Sequence, residues 1–123
     1  MKLIIAGGRD LSSTFYYEVV DGMCKAIQEI YPISEIITGG ATGIDSIGKI
    51  YADNNNLIHQ EINPDWSLGK KAGPLRNAVM AAEGDALLLI WDGESRGSAS
   101  MLREAKMQKI KIWQVIIHKK EQP

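Results

Sequence analysis

Four short stretches of the chain combine glycines with charged side chains, in a pattern typical of loops that bind anions. They are "GGRD" (7–10), "GGATGID" (39–45), "KKAGPLRN" (70–77) and "WDGESRGSASM" (91–101). Glycine lets a backbone approach a ligand closely, and arginine offers a forked pair of donors to phosphate or carboxylate. The four stretches therefore predict an anion-binding site, provided that the fold brings them together.

The first two stretches each follow an apolar run that is typical of a buried strand. After the run 2–7, Arg9 could bind an anion or simply be solvated in a turn. After the run 35–38, three glycines precede a predicted helix, whose unpaired N–H groups would then point at an anion. The spacing is not Gly-x-Gly-x-x-Gly, and no Walker lysine follows it. Asp45, in the first turn of that helix, either favours the helix dipole or binds a ribose hydroxyl.

The third stretch places cations at the start of a predicted helix. Pro74 is expected just inside the helix, where a residue without an N–H is well tolerated. Arg76 would then lie in the first turn, where a cation opposes the helix dipole, and this conflict is explained if an anion binds nearby. Trp66, just upstream, could stack on a base or cover the edge of the core.

The fourth stretch follows the apolar run 86–91 and leads into the last predicted helix. Gly97 and Ser98 are expected to begin this helix. The Ser98 hydroxyl could cap it or hold a phosphate, and the sequence does not separate the two roles, because both need a hydroxyl at the same place.

The remaining pattern indicates the elements that position these loops. Apolar runs predict strands at 2–7, 35–38, 58–62, 86–91 and 111–117, and helical spacing predicts helices at 14–31, 43–55, 75–83 and 98–108. Strands alternating with helices favour an α/β, Rossmann-like three-layer sandwich with a parallel sheet of about five strands, in the order 3-2-1-4-5. Ligands of such folds bind at the carboxyl ends of the strands, where the strand order reverses. The loops after strands 1, 2 and 4 are thus expected to surround one crevice.

Composition narrows the classes of function. The 123 residues are expected to form a single domain over 1–117 with a polar tail over 118–123. The formal net charge of −1 makes nucleic acid an unfavoured partner. No apolar run is long enough for a signal peptide or a membrane span, so we expect a cytoplasmic protein without a membrane partner. Cys24 is expected to be a buried apolar residue, and His59 and His118 have no ligand-spaced partner, so no metal site is predicted.

Taken in order, the four stretches resemble the YspA-like, YpsA-related branch of the SLOG superfamily, which is named after the DNA-processing protein Smf and the cytokinin-activating LOG enzymes. The resemblance covers roughly residues 3–116. It implies a Rossmann-like domain that binds a nucleotide or a nucleotide-derived ligand, and self-association as a homodimer or higher homo-oligomer. The ligand- and phosphate-binding residues predicted from the loops and the resemblance are Gly7, Gly8, Arg9, Gly39, Gly40, Thr42, Gly43, Asp45, Lys71, Arg76, Asn77, Trp91, Gly93, Arg96, Gly97 and Ser98.

One position departs from the LOG pattern. LOG-type phosphoribohydrolases carry a glutamate after their second glycine loop, and this chain has Met101 at that place, with Glu104 three residues further on. Cleavage of a glycosidic bond needs negative charge near an oxocarbenium-like transition state. Asp92, at a strand end, is the best candidate for a catalytic group here.

These observations support two main hypotheses of function. The first is a sensor or binding module for a nucleotide-type ligand, in which Trp66 or Trp91 stacks on the base. The alternative is a nucleoside-phosphate N-glycosidase that uses Asp92. Single-stranded DNA binding is less favoured because it needs a basic groove. No cofactor is predicted, although Mg²⁺ could accompany a phosphorylated ligand.

Overall fold

The structure is a computed structural model, and it describes residues 1–118. Its strands are β1 (Lys2–Gly7), β2 (Glu35–Thr38), β3 (Ile58–Glu61), β4 (Ala86–Trp91) and β5 (Lys111–Ile116). Its α-helices are α1 (Thr14–Ile30), α2 (Ile44–Asn54), α3 (Ala72–Glu83) and α4 (Arg96–Met107), and a short 3₁₀ segment, Trp66–Lys71, leads into α3. The predicted alternation of strands and helices is confirmed.

The five strands form one parallel sheet in the order β3-β2-β1-β4-β5. This is the predicted order, and the architecture is α/β and Rossmann-like. The two central strands pair over five residues each, from Leu3 opposite Ala86 to Gly7 opposite Ile90. The chain leaves β1 for β2 on one side and arrives at β4 on the other, so the strand order reverses between β1 and β4. A crevice is expected there at the carboxyl edge.

The core occupies both faces of this sheet. On one face, Leu3 and Ile5 of β1 pack in a cluster with Val20 of α1 and Ile47 of α2. On the other face, a cluster built around Ile4 contains side chains from α3 and α4. All six residues of β4 are buried, which explains why its sequence is continuously apolar rather than alternating.

Three helices start at other residues than predicted, and for α2 the difference is a single residue, Ile44 instead of 43. Helix α3 begins at Ala72, three residues before the predicted 75, because the 3₁₀ segment runs directly into it. Pro74 is tolerated as the third helical residue because the first turn has N–H groups without intrahelical partners. Helix α4 begins at Arg96, with Ser95 at the N-cap position. The predicted start at Gly97 and Ser98 is therefore late by one to two residues, and Ser98 is the third residue of the helix, within its first turn.

Several other expectations concern particular segments. Cys24 is a free cysteine and fully buried, as predicted. Within residues 1–118, no helix has the length and apolar character needed to cross a bilayer. Strands β3 and β5 each end one residue before the predicted boundary. The predicted polar tail covers 118–123, of which 119–123 lie outside the described residues.

Candidate functional site

A cleft of about 640 Å³ opens at the carboxyl edge of the sheet. It is lined by the ends of β1 and β4, the first residues of α2 and α4, and the 3₁₀ segment with α3. Its volume is within the range of sites that bind small molecules. The predicted crevice is therefore present, and parts of all four glycine-containing stretches line it.

The first turn of α4 forms one side of the cleft. Ser95, Arg96, Gly97 and Ser98 all line it. The Ser98 side chain is 7% exposed and forms no hydrogen bond within residues 1–118. Its hydroxyl is not sealed from solvent, since no buried polar side-chain atom among these residues is without a partner. Because the first amides of a helix also have no intrahelical partner, this side of the cleft is rich in donors.

Asp92 shapes the turn that leads into α4. Its Oδ1 accepts hydrogen bonds from the backbone N–H of Glu94, at 2.8 Å, and of Ser95, at 2.9 Å. Gly93 has a φ of 81°, a conformation that favours glycine. Asp92 lines the cleft, whereas Gly93 does not. One carboxylate oxygen of the predicted catalytic residue thus positions the backbone of the loop.

The turn after β1 lines the cleft with Gly7, Gly8 and Arg9. Gly7 lies against the Ile90 carbonyl group of β4, where a Cβ would collide with backbone. The Gly8 N–H donates to the Ile90 carbonyl oxygen at 3.0 Å. The glycines therefore let the two central strands end in close contact, and the exposed Arg9 side chain follows at the cleft.

The glycine-rich loop after β2 forms several hydrogen bonds within the protein. Two of its amides are bonded there: the Ala41 N–H donates to Asp45 Oδ2 at 3.1 Å, and the Ile44 N–H donates to the Gly8 carbonyl oxygen at 3.2 Å. The Thr42 hydroxyl donates to the Arg9 carbonyl oxygen at 3.0 Å. From this stretch Ala41 and Asp45 line the cleft, whereas the predicted ligand-binding residues Gly39, Gly40, Thr42 and Gly43 do not.

What the β2–α2 loop presents to the cleft is the Asp45 carboxylate, which is 6% exposed. Burial raises the pKa of Asp45 above its usual value, while the Ala41 N–H and the nearby Arg76 guanidinium act in the opposite direction. Burial also lowers the pKa of Arg76. An acceptor of hydrogen bonds thus faces the cleft from the side of α2, and donors face it from the side of α4.

Arg76 and Asn77 both line the cleft, but their polar groups mostly contact the protein itself. Arg76 Nη1 donates to the carbonyl oxygens of Gly39 and Ile62, and its Nε donates to Asn77 Oδ1 at 2.9 Å. Asn77 Nδ2 lies 3.2 Å from Ser100 Oγ and 3.4 Å from the Gly97 carbonyl oxygen. Two consecutive residues of α3 therefore reach both sides of the cleft.

Of the predicted aromatic and lysine residues, the cleft is lined by some and not by others. Trp66, 64% exposed, lines the cleft as expected of a residue that could stack on a base. Trp91 does not line it: this side chain is 6% exposed, packs in the core, and its Nε1 donates to Gln114 Oε1 at 3.1 Å. Lys70 lines the cleft instead of the predicted Lys71.

The floor of the cleft is apolar where a LOG-type enzyme would carry its glutamate. Met101 is 1% exposed and lines the cleft, next to the lining residue Met80. Glu104 does not line it. No group of three or more His, Cys, Asp or Glu side chains between residues 1 and 118 could hold a metal ion.

Comparison with models of known families gave a match. The model of the YspA, cpYpsA-related SLOG family matches residues 1–69, which is more than half of the 123 residues. The chain belongs to the YspA, cpYpsA-related SLOG family. The matched range includes the stretches 7–10 and 39–45 but not the two that follow. A search of curated proteins and a search of solved structures each found no match.

This SLOG chain also lines its cleft with polar residues that the sequence reasoning missed, namely Asp10, Lys70, Ser95 and Ser100. Ser95 and Ser100 lie within the fourth stretch. Ser100 follows Gly97 by three residues, and this helical spacing could have placed Gly97 and Ser100 on one face of α4. Asp10 directly follows the predicted Arg9. No pattern in the sequence distinguishes Lys70 from Lys71.

Proposed function

We propose that the cleft binds a nucleotide or a nucleotide-derived phosphorylated ligand, and that the protein serves as a sensor or binding module for it. The observation that carries this proposal is the Ser98 hydroxyl, which lines the cleft beside the first amides of α4 and has no hydrogen-bond partner within residues 1–118. A hydroxyl and unpaired helix amides together suit one phosphate group.

Charge and shape at the rest of the cleft support the same ligand class. The exposed side chains of Arg9, Arg96 and Lys70 supply positive charge for phosphate. Asp45 supplies an acceptor for a ribose hydroxyl on the opposite side. The exposed indole of Trp66 offers a face on which a base can stack.

A thermal-shift panel tests the proposal with AMP, ADP, ADP-ribose and inorganic phosphate, each with and without Mg²⁺. A ligand at 100 times its Kd should stabilise the protein by about 2.7 kcal/mol. Arg96→Gln should weaken the effect, whereas Arg103→Gln, on the same helix but outside the cleft, should not. If none of these compounds raises the melting temperature at millimolar concentration, the proposal is wrong.

A second candidate is an N-glycosidase acting on a nucleoside phosphate, and it is favoured by the three carboxylates that line one cleft, namely Asp10, Asp45 and Asp92. Such groups could supply the negative charge that an oxocarbenium-like transition state needs. Release of free base from AMP or ADP-ribose, followed by chromatography, measures the reaction. Activity that is lost in Asp92→Asn while binding remains would favour the enzyme; wild-type protein that binds without turnover favours the binding module.

We also propose that the protein self-associates, as the resemblance to SLOG proteins implies. Leu75 and Val79, which lie one turn apart on α3, are both about half exposed. Light scattering after size-exclusion chromatography should give at least twice the 13.6 kDa of one chain. A mass of one chain at all concentrations would contradict this.

A further inference from the structure

We infer that Arg76 and Asn77 are positioning residues that brace the cleft, holding the β2–α2 loop and the first turn of α4 at the separation that a ligand spanning both sides requires. This inference rests on the proposed function and deepens it, because it assigns to the two residues a role different from phosphate binding. We call the Arg76–Asn77 pair the brace.

The Arg76 arm of the brace holds the β2–α2 loop. Its guanidinium bonds to the Gly39 carbonyl group and lies over Gly39, where a Cβ would come 2.7 Å from Arg76 Cζ and 3.0 Å from Asp45 Oδ2. Its charge also acts favourably on the buried Asp45 carboxylate. Glycine at position 39 is therefore what allows the guanidinium to sit against both the loop and the carboxylate.

The Asn77 arm holds the first turn of α4. The side chain is 5% exposed, and its Nδ2 reaches Ser100 Oγ and the Gly97 carbonyl oxygen. Its Oδ1 accepts from Arg76 Nε, so both polar atoms of the amide are engaged inside the protein. A buried amide with both ends bonded is suited to hold elements together, not to change partners with a ligand.

The two arms belong to consecutive residues of one helix, and this makes the brace stiff. Asp45 and Ser98 are the acceptor and the donor expected to contact opposite ends of a ligand. The Asp45 carboxylate interacts with the charge of Arg76, and Ser98 directly follows Gly97, whose carbonyl oxygen accepts from Asn77 Nδ2. A ligand that contacts one side, such as inorganic phosphate, does not depend on the separation of the sides. The binding of a nucleotide that contacts both sides of the cleft does depend on their separation. Loss of the brace should therefore weaken nucleotide binding selectively.

The free protein provides the first test, by peptide-level hydrogen–deuterium exchange. Arg76→Gln should speed exchange over 39–45 about fivefold or more, and Asn77→Ala should do the same over 96–101, because each loses about 1 kcal/mol of hydrogen bonding. Ser100→Ala, a milder change, should affect 96–101 alone. Lys71→Gln, a neighbouring exposed site outside the cleft, is the control. Unchanged exchange in both segments, or a uniform increase throughout the sheet, would overturn the inference.

Binding of AMP and of inorganic phosphate provides the second test. Arg76→Gln should raise the Kd of AMP about tenfold and leave the Kd of phosphate within about twofold, with partial rescue of AMP binding by Arg76→Lys. A parallel rise of both constants would mean that Arg76 contacts phosphate directly and would refute the brace. If the wild type binds neither compound, the proposed function loses its support, while the exchange experiment still decides on the brace.

Discussion

Replacing Gly39 by alanine should destabilise the protein because the new Cβ competes with Arg76 for space. The backbone is not the cause, since Gly39 is not among the positive-φ glycines of residues 1–118. The Cβ would lie 2.7 Å from Arg76 Cζ, so the guanidinium must move away from the Gly39 and Ile62 carbonyl groups. Two hydrogen bonds at about 1 kcal/mol each, with a less favourable environment for the buried Asp45, give a cost of about 2–4 kcal/mol.

Urea denaturation measures this cost, with Gly22→Ala as the matched control. Gly22 lies within α1, where a Cβ meets nothing within 4 Å, so alanine there should stabilise by about 0.5–1 kcal/mol. In an Arg76→Ala background, the additional cost of Gly39→Ala should fall below about 1 kcal/mol, because the clash is gone. An unchanged cost in that background would refute the argument.

Three further predictions concern single side chains. The native protein holds the Asp45 proton more tightly than the unfolded chain does, because burial raises the pKa of Asp45. The free energy of unfolding of the wild type, relative to that of Asp45→Asn, should therefore fall as the pH rises from about 3.8 and become constant above the native pKa. A difference in urea titrations that does not change over this pH range would contradict the prediction. Burial raises the pKa of Cys24 to about 12, so a thiol reagent at pH 8 should react with unfolded but not with native protein; rapid labelling of native protein would disprove this. If AMP quenches the tryptophan fluorescence, Trp66→Phe should abolish the quenching and Trp91→Phe should keep it, and the reverse result would exclude Trp66 as the stacking residue.

The fold was predictable because each of its elements carries a local signal. The run "ALLLIW" (86–91) is continuously apolar, as expected for a strand buried on both faces, and it is β4. Strand order followed from the handedness and spacing of β–α–β units. The start of α4 was not predictable to the residue, because "ESRGS" (94–98) contains two serines and either could be the N-cap. In the structure the N-cap is Ser95, although its side chain forms no capping hydrogen bond.

The site was predictable by region but only partly by role. The turn after β1 and the start of α4 line the cleft as expected, because topology alone brings these strand ends together. The role of Arg76 was not predictable. Its partners Gly39 and Ile62 lie 37 and 14 residues away in the chain, and no local pattern encodes such contacts. Trp91 ends β4 and packs in the same core cluster as Met80 and Met101, and no local pattern shows that its indole is covered there while those two side chains reach the cleft.

The stretch "GGATGID" indicates what separates a phosphate-binding loop from one that presents a carboxylate. Unpaired amides attract the nearest anion. Here that anion is the carboxylate of Asp45, four residues after Ala41, which accepts a hydrogen bond from the Ala41 N–H. In a glycine loop with an acidic residue at that spacing, the carboxylate accepts a hydrogen bond that an external anion would otherwise accept. We therefore propose α4 as the place where the phosphate of the ligand binds, because residues 96–101 contain no acidic side chain and the Ser98 hydroxyl lines the cleft. The two glycine-containing loops are then complementary halves, one accepting and one donating, joined across the cleft by Arg76 and Asn77.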